Sequence, residues 1–236
     1  MDRQLLMDGI KKTVAGIVLI SALLFIPAGT IHYRNGWLFC CVLFIPVLIM
    51  GVVLFLKAPD LLRKRLQEKE EQAEQKSVVA WSALMFAGGF ILAGLDFRFS
   101  WTQLPNFVVY TASVLFLIGY ALFAEVMREN AYLSRTVEVQ EGQTVVDTGL
   151  YGIVRHPMYS ATVLMFLTMP LILGSAISFV VFLIYPFLLV KRIKNEESVL
   201  EEGLMGYTEY KQKVKYRLIP FIWLKKMTRI SGHLFS

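Results

Sequence analysis

The stretch Met158–Val190, MYSATVLMFLTMPLILGSAISFVVFLIYPFLLV, runs for thirty-three residues without a charged side chain. The hydrocarbon core of a bilayer needs about 20 apolar residues per helix, so this run is too long for a single crossing. Pro170 and the pair Gly174-Ser175 interrupt it near its middle, and such residues favour a turn. The stretch therefore predicts a tight helical hairpin whose two arms are near the lower length limit for spanning.

The rest of the chain extends the membrane pattern towards the N-terminus. Hydrophobic residues make up 56% of the 236 residues and charged residues 18%, against about 45–50% and about 25% in soluble domains. This composition disfavours a disordered protein, a disulfide scaffold and a simple cytosolic enzyme. We predict an all-α polytopic membrane protein of about six transmembrane helices, or four and a partly crossing hairpin. The four apolar runs before the hairpin are Thr13–Ile31, Trp37–Leu56, Val78–Leu95 and Phe107–Met127.

The basic residues predict an orientation. Of the 24 lysine and arginine residues, 22 lie before the first run, in the 57–77 loop, in the 128–157 connector or in the tail from Lys191. The two intervening loops hold only Arg34 and Arg98. Because basic loops stay in the cytoplasm, both termini are expected there, with the protein in the inner cell membrane.

Composition also argues against several other ligands. The net charge of +6 fits loops that face anionic lipid better than it fits nucleic acid, so we expect membrane lipid and no nucleic acid as a partner. His32, His156 and His233 are far apart, and Cys40 and Cys41 are neighbours in an apolar run. No Cys/His cluster has metal-ligand spacing, so no metal is expected.

Two polar regions lie on the predicted cytoplasmic side. Pro59–Lys76 mixes acids and bases at helical spacing and predicts a short surface helix. The connector alternates through residues 136–146 and predicts a small hairpin or an extended loop. We therefore divide the chain into 1–127, four transmembrane helices with the 57–77 loop, and 128–236, which holds the connector, the hairpin, the tail and a cytoplasmic cofactor pocket.

The candidate chemistry lies at the two ends of the hairpin. Pro157 suits the first turn of a helix, which places His156 at the helix entrance, near backbone donors that bind anions. Arg192 and Glu196 are four residues apart on one helical face. Each cluster taken alone also fits an interfacial anchor or a surface helix. Because both lie at the cytoplasmic ends of one hairpin, we expect one pocket for a charged soluble cofactor and a lipophilic substrate.

These residues resemble the isoprenylcysteine carboxyl methyltransferase family of integral membrane methyltransferases, whose relatives include phospholipid methyltransferases and a bacterial methanethiol methyltransferase. The resemblance covers roughly residues 129–220 and not the first four apolar runs. Its pieces are Asn130 with the 137–146 connector, Gly149-Leu150-Tyr151, Arg155-His156-Pro157-Met158-Tyr159, Arg192 through Glu196-Glu197 to Leu200, Gly206-Tyr207, Tyr210 and Pro220.

The resemblance implies S-adenosylmethionine as the cofactor and a lipophilic or small-molecule methyl acceptor. It implies that Arg192 binds the acceptor, and that Arg192, Glu196 and His156 form the catalytic set. The residues implied to line the cofactor pocket are Gln140, Gln143, Thr144, Val145, Val146, Tyr151, His156, Pro157, Met158, Tyr159 and Glu196.

Several functions stay open at this point. A carboxylate acceptor, isoprenylcysteine-like, is favoured because it needs only a cation such as Arg192 to hold it. A thiol or a phospholipid amine would need deprotonation first, by His156 or Glu196. The main rival is an NADPH-dependent reductase of a sterol-like lipid, since the pattern R-H-P-x-Y also occurs in membrane sterol reductases. A scaffold protein and a transporter are weaker alternatives.

Overall fold

The computed structural model describes residues 3–66, 73–133, 139–220 and 222–224. Helices dominate the described chain. In order, the elements are α1 (Arg3–Ala28), α2 (Arg34–Lys57), α3 (Pro59–Leu66), α4 (Ala73–Phe99), α5 (Asn106–Glu129), a 3₁₀ helix (Gly149–Gly152), α6 (Pro157–Ile172), α7 (Ala176–Phe182), α8 (Tyr185–Gly203), α9 (Tyr207–Lys213), β1 (Tyr216–Ile219) and β2 (Ile222–Leu224).

The predicted membrane architecture is confirmed. Five helical segments are long and apolar enough to cross a bilayer: α1, α2, α4, α5 and the segment 176–203, which α7 and α8 form together. α6 is apolar but only 16 residues long. The protein is therefore an integral membrane protein with five to six spanning helices. One element was not predicted: β1 and β2 form a small antiparallel ribbon in which Tyr216 lies opposite Leu224.

The hairpin turn lies at Gly174-Ser175, one of the two interruptions that the sequence predicted. Pro170 lies inside α6, which continues to Ile172. The chain reverses at Gly174, whose φ of 80° is in the left-handed region that favours glycine. Ser175 then caps α7 by accepting a hydrogen bond from the Ser178 amide.

The second arm is longer than predicted. α7 and α8 together run for 28 residues to Gly203, because the charged stretch after Val190 is rich in lysine, arginine and glutamate, which are good helix formers. The arm therefore carries its polar end beyond the apolar segment, where the candidate residues lie.

Helices α5 and α6 approach each other closely. A Cβ at Gly119 in α5 would lie 2.8 Å from the Met165 side chain and 3.3 Å from the Ala161 carbonyl oxygen in α6. Ala161 is fully buried. This contact packs the first half of α6 against the middle of α5.

The short surface helix predicted over 59–76 is confirmed where the structure describes it. α3 covers Pro59–Leu66 and buries Leu61, whereas residues 67–72 lie outside the described part. In the connector, residues 136–138 also lie outside it. Residues 139–148 contain a turn at Glu141-Gly142 and no assigned strand. The choice between a hairpin and an extended loop stays a prediction, because the first arm lies within residues 134–138, outside the described part.

A cluster of buried polar side chains lies near the turn of the hairpin, at the end of the bundle opposite the candidate residues. Asp96, near the end of α4, is 1% exposed. Its carboxylate accepts hydrogen bonds from the Thr102 amide at 2.6 Å, from the Thr102 hydroxyl and from the Ser175 hydroxyl. The α4–α5 loop is thereby linked to the hairpin turn.

Candidate functional site

A cleft lies between the connector, the start of α6, the polar end of α8 and α9. It encloses about 860 Å³ including its open mouth. The structure brings together ten of the residues predicted for the site, which line this cleft: Gln143, Thr144, Val145, Val146, Tyr151, His156, Met158, Tyr159, Arg192 and Glu196.

Two predicted pocket residues do not line the cleft. Pro157 is buried as the first residue of α6. Gln140 supports the cleft from behind: its side-chain amide donates to the Tyr132 carbonyl at 2.6 Å, and its backbone amide donates to the Gln143 side chain at 2.9 Å. Both partners line the cleft. Lys64 of α3 donates to the Gln140 side-chain oxygen at 2.6 Å, which connects the N-terminal half to the cleft wall.

Tyr159 joins Arg192 to Glu196. The Arg192 Nε donates to the Tyr159 hydroxyl at 2.8 Å, and that hydroxyl donates to the Glu196 carboxylate at 2.5 Å. The spacing of four residues on α8 therefore places the cation and the carboxylate on either side of one phenol. Glu196 keeps 26% of its side chain exposed, so its carboxylate is accessible to a ligand in the cleft.

His156 is held between two carboxylates. Its Nε2 lies 3.3 Å from Glu197 Oε1, and its Nδ1 lies 3.9 Å from Glu196 Oε1. The ring also stacks on Tyr159, with centroids 5.7 Å apart. Glu197 therefore fixes the ring orientation, and the other ring nitrogen faces the side of Glu196.

Glu197 is the centre of a buried charge network and is only 2% exposed. It accepts from Arg155 Nε at 2.8 Å and from Arg217 Nη2 at 2.7 Å. Lys211 lies 3.8 Å away and also pairs with Glu201. Arg155 is 3% exposed, so its side chain is buried inside the protein and does not reach lipid headgroups as an interfacial anchor would.

The C-terminal segment pairs with Arg155 and His156, the two residues before α6. The backbone amides of Arg155 and His156 donate to the carbonyls of Tyr216 and Arg217, both at 2.9 Å. Arg155 Nη1 also donates to the Val214 carbonyl at 2.6 Å. The expectation of free backbone donors at His156 was therefore wrong for its own amide, because β1 uses that amide for strand-like pairing. The side chains, not the helix entrance, give the cleft its polarity.

Tyr151 and Tyr210 form the floor of the cleft near the 3₁₀ helix. The Asn130 amide donates to the Tyr151 hydroxyl at 2.9 Å, and the Tyr210 hydroxyl donates to the Tyr151 carbonyl at 2.8 Å. Burial raises the pKa of Tyr151 to about 12 despite the hydrogen bond from Asn130, and burial also raises the pKa of Tyr210. Both phenols therefore stay neutral at physiological pH, with the Tyr151 hydroxyl accepting from Asn130 and the Tyr210 hydroxyl donating to the Tyr151 carbonyl.

Within the described part of the chain, two buried atoms of cleft-lining residues have no hydrogen-bond partner: Arg155 Nη2 and the Tyr207 hydroxyl. Both residues line the cleft. Buried donors without a partner cost free energy and are uncommon in folded proteins. Glu196 offers an accessible carboxylate in the same cleft, which fits the positively charged groups of S-adenosylmethionine.

Sequence reasoning assigned no role to several residues that line or support the cleft. Arg155, Asn130, Tyr207 and Tyr210 lay in the motifs that carry the resemblance, so their signal was present. Glu197 also lay in these motifs, within the piece from Arg192 to Leu200, but no site role was predicted for it. Nothing in the local pattern distinguishes Tyr132 or Arg217, because only the folded chain brings them to the site. Among the described residues, no group of three His, Cys, Asp or Glu side chains is arranged to hold a metal ion.

The segment that carries this cleft is similar to known proteins. Residues 111–202 match the model of the Isoprenylcysteine carboxyl methyltransferase (ICMT) family. A segment of 91 residues is also 30% identical to the Delta(14)-sterol reductase TM7SF2 of Mus musculus; it covers 37% of this chain and 22% of that protein. The chain thus spans less than a quarter of the length of this curated relative. The matched residues include Asn130, the connector, Arg155–Tyr159 and Arg192–Glu197. The match confirms that this part of the chain carries the sequence pattern of the isoprenylcysteine carboxyl methyltransferase family.

Proposed function

We propose that the protein is an integral membrane methyltransferase that transfers a methyl group from S-adenosylmethionine to a lipophilic or small acceptor, with a carboxylate favoured. The observation that supports this most is the convergence of His156, Tyr159, Arg192 and Glu196 on one cleft, within the segment that matches the methyltransferase family.

The proposed residue roles follow from charge and access. When bound, S-adenosylmethionine supplies an electrophilic methyl group on a positively charged sulfonium. The accessible carboxylate of Glu196 favours a cation in the cleft. Residues Gln143–Val146, Tyr151, Met158 and Tyr159 would surround the cofactor, with Gln140 and Pro157 supporting them. Excluding water and aligning the acceptor would supply much of the rate.

Arg192 is proposed to hold the acceptor. Its Nε donates a hydrogen bond to the Tyr159 hydroxyl at 2.8 Å, which fixes the guanidinium at the edge of the cleft. A carboxylate acceptor held in this way is already a nucleophile and needs no base. A thiol or a phospholipid amine would first give a proton to His156 or Glu196, and this remains an alternative acceptor chemistry.

We propose that the reaction takes place at the cytoplasmic face of the inner cell membrane, with both termini in the cytoplasm. The distribution of basic residues supports this orientation. Residues 1–127 would form the transmembrane part that contacts the lipophilic acceptor, and residues 128–236 would form the cofactor site.

The second candidate is an NADPH-dependent reductase of a sterol-like lipid. The similarity to a Delta(14)-sterol reductase supports it, as does Arg155 in the cleft wall. Against it, Glu196 is accessible in the same cleft and Glu197 lies directly behind it, and carboxylates disfavour a ligand with several phosphates.

Isothermal titration of the detergent-purified protein distinguishes the two candidates. The proposal predicts micromolar binding of S-adenosylhomocysteine, loss of that binding in Glu196→Ala and His156→Ala, and normal binding in the exposed control Glu202→Ala. Binding of NADPH without S-adenosylhomocysteine would replace the methyltransferase with the reductase. Arg192→Ala is expected to keep S-adenosylhomocysteine binding but to lose turnover; unchanged turnover would remove its acceptor role.

A further inference from the structure

Lysine and arginine side chains collect where α1 begins and α2 ends, at one end of the bundle. Apart from Arg34, residues 3–66 hold seven such side chains against two acids, Asp8 and Asp60. The seven lie in the first half of α1, at the last residue of α2 or in α3. The glutamates of the 57–77 loop all come after α3 in the sequence. This end of α1, α2 and α3 therefore carries a net positive charge in the described part of the chain.

Two of these cations lie at the boundary between the hydrocarbon core and the lipid headgroups. Lys57 is the last residue of the spanning helix α2, and Leu56 before it is 68% exposed. Lys11 is exposed on α1, on the same helical face as the exposed side chains of Met7 and Val14. Exposed apolar side chains on a spanning helix face lipid, and lysines beside them extend their ammonium groups to the headgroups. Both ammonium groups are therefore at the depth of the lipid phosphates.

Helix α3 lies at the same depth, because a single residue separates it from the end of α2. Its inner side buries Leu61 in a hydrophobic cluster with residues of α2 and α5. Its outer side carries Arg63, whose side chain is 55% exposed and lies 3.4 Å from Asp60. Exposed pairs of this kind contribute little, so the guanidinium can exchange this carboxylate for a phosphate. Lys12 of α1 donates to the Leu66 carbonyl, which holds the end of α3 beside α1.

α3 also contacts the wall of the cleft. Lys64, the residue after Arg63, donates to the Gln140 side-chain oxygen at 2.6 Å, and its ammonium lies 5.8 Å from the centre of the Tyr132 ring. Gln140 in turn donates to the Tyr132 carbonyl and to the Gln143 side chain. Tyr132 and Gln143 both line the cleft. An interaction that holds α3 at the membrane surface therefore also positions one wall of the cleft.

We propose that Lys11, Lys57 and Arg63 form a surface that binds the phosphates of anionic phospholipids, and that this contact positions the connector through Lys64. The partner is a lipid because the cations lie at the edge of the apolar belt, beside side chains that face hydrocarbon. Anionic headgroups attract each nearby lysine or arginine by about fivefold in affinity. The lipid surface is independent of the reaction, whereas its effect on the cleft rests on the proposed function, because S-adenosylhomocysteine binding reports it.

The direct test measures which lipid the protein retains. The full chain is reconstituted in vesicles of equal parts phosphatidylcholine and phosphatidylglycerol and extracted in detergent, and the bound lipid is quantified by mass spectrometry. Phosphatidylglycerol should be enriched severalfold, and Lys57→Gln combined with Arg63→Gln should lose most of this enrichment. Arg34→Gln removes an exposed cation from the opposite end of α2 and should keep it. Equal retention of the two lipids, or enrichment that the double variant leaves unchanged, would overturn the surface.

Titration with S-adenosylhomocysteine in nanodiscs tests the effect on the cleft. The affinity of the wild type should be severalfold higher in the mixed lipid than in phosphatidylcholine alone. Lys64→Met should still enrich phosphatidylglycerol but bind S-adenosylhomocysteine equally in both lipids. Equal affinity of the wild type in the two lipids, or a lipid dependence that persists in Lys64→Met, would overturn the coupling. Enrichment of phosphatidylglycerol without any S-adenosylhomocysteine binding would keep the lipid surface and overturn the methyltransferase proposal instead.

Discussion

Replacing Glu197 with glutamine should destabilise the protein far more than any other single loss of a glutamate charge on α8. Glu197 is 2% exposed, and Arg155 and Arg217 bind it at 2.8 Å and 2.7 Å. Glutamine has nearly the same shape but no charge. The substitution therefore leaves two buried guanidinium groups opposite a neutral side chain.

The expected cost follows from breaking a buried ion pair on one side. Removing one partner of such a pair costs about 3–5 kcal/mol, because the remaining charge stays buried without compensation. For chains of about 150–250 residues, each kcal/mol shifts the melting temperature by about 2–4 °C. Glu197→Gln should therefore lower the melting temperature by roughly 6–20 °C.

Tryptophan fluorescence of the detergent-solubilised protein, heated at a fixed scan rate, measures this shift. Glu202→Gln is the matched control, since it removes the same charge from the exposed face of the same helix, and surface changes usually stay within about 0.5 kcal/mol. The double variant Glu197→Gln with Arg217→Gln should cost less than the sum of its two single changes, because it removes one of the uncompensated charges.

The opposite result would refute the reasoning. If Glu197→Gln melts within about 1 °C of Glu202→Gln, Glu197 does not compensate the two arginines, and the buried network is not what holds the C-terminal segment over the cleft. Strict additivity in the double variant would contradict the direct pairing with Arg217.

Three further changes test other parts of the structure. Lys64→Met should lower S-adenosylhomocysteine affinity severalfold in titration with little change in melting temperature, because it removes the hydrogen bond to Gln140 behind the cleft wall. Unchanged affinity would show that this hydrogen bond does not position the cleft wall. Gly94→Ala should destabilise the protein by about 1–3 kcal/mol, because its Cβ would lie 2.5 Å from the Leu24 carbonyl oxygen. Gly88→Ala in the same helix is the control, since a Cβ there meets open space. Equal melting temperatures of the two variants would exclude the close α1–α4 contact. Asp96→Ala should cost about 1–3 kcal/mol by leaving buried donors unpaired, and a wild-type melting temperature would show that the cluster is not buried.

The helical architecture could be predicted because hydropathy and helix length determine it directly. The charge-free stretch from Met158 to Val190 predicted a hairpin, and the structure has one. Of the two predicted interruptions, Gly174-Ser175 forms the turn, because Gly174 adopts a positive φ, whereas Pro170 lies inside α6 two residues before its end.

The site was predictable only in part. Arg192 and Glu196 share a helical face, so their joint position could be inferred from spacing. The bridging role of Tyr159 and the burial of Glu197 depend on contacts between helices that no local pattern encodes. The ribbon of β1 and β2 is short, and its pairing with residues 155 and 156 is set by the chain's return to α6. Long-range contacts of this kind cannot be deduced from periodicity.

The most direct test of the central proposal follows a labelled methyl group. The purified protein in lipid nanodiscs is incubated with methyl-labelled S-adenosylmethionine and a panel of lipophilic carboxylates, small thiols and phospholipid amines. The proposed function predicts label in one acceptor class, with an equal amount of S-adenosylhomocysteine released, and loss of both in Glu196→Ala but not in Glu202→Ala. Reduction of a sterol-like lipid by NADPH, with no label transferred to any acceptor, would contradict it.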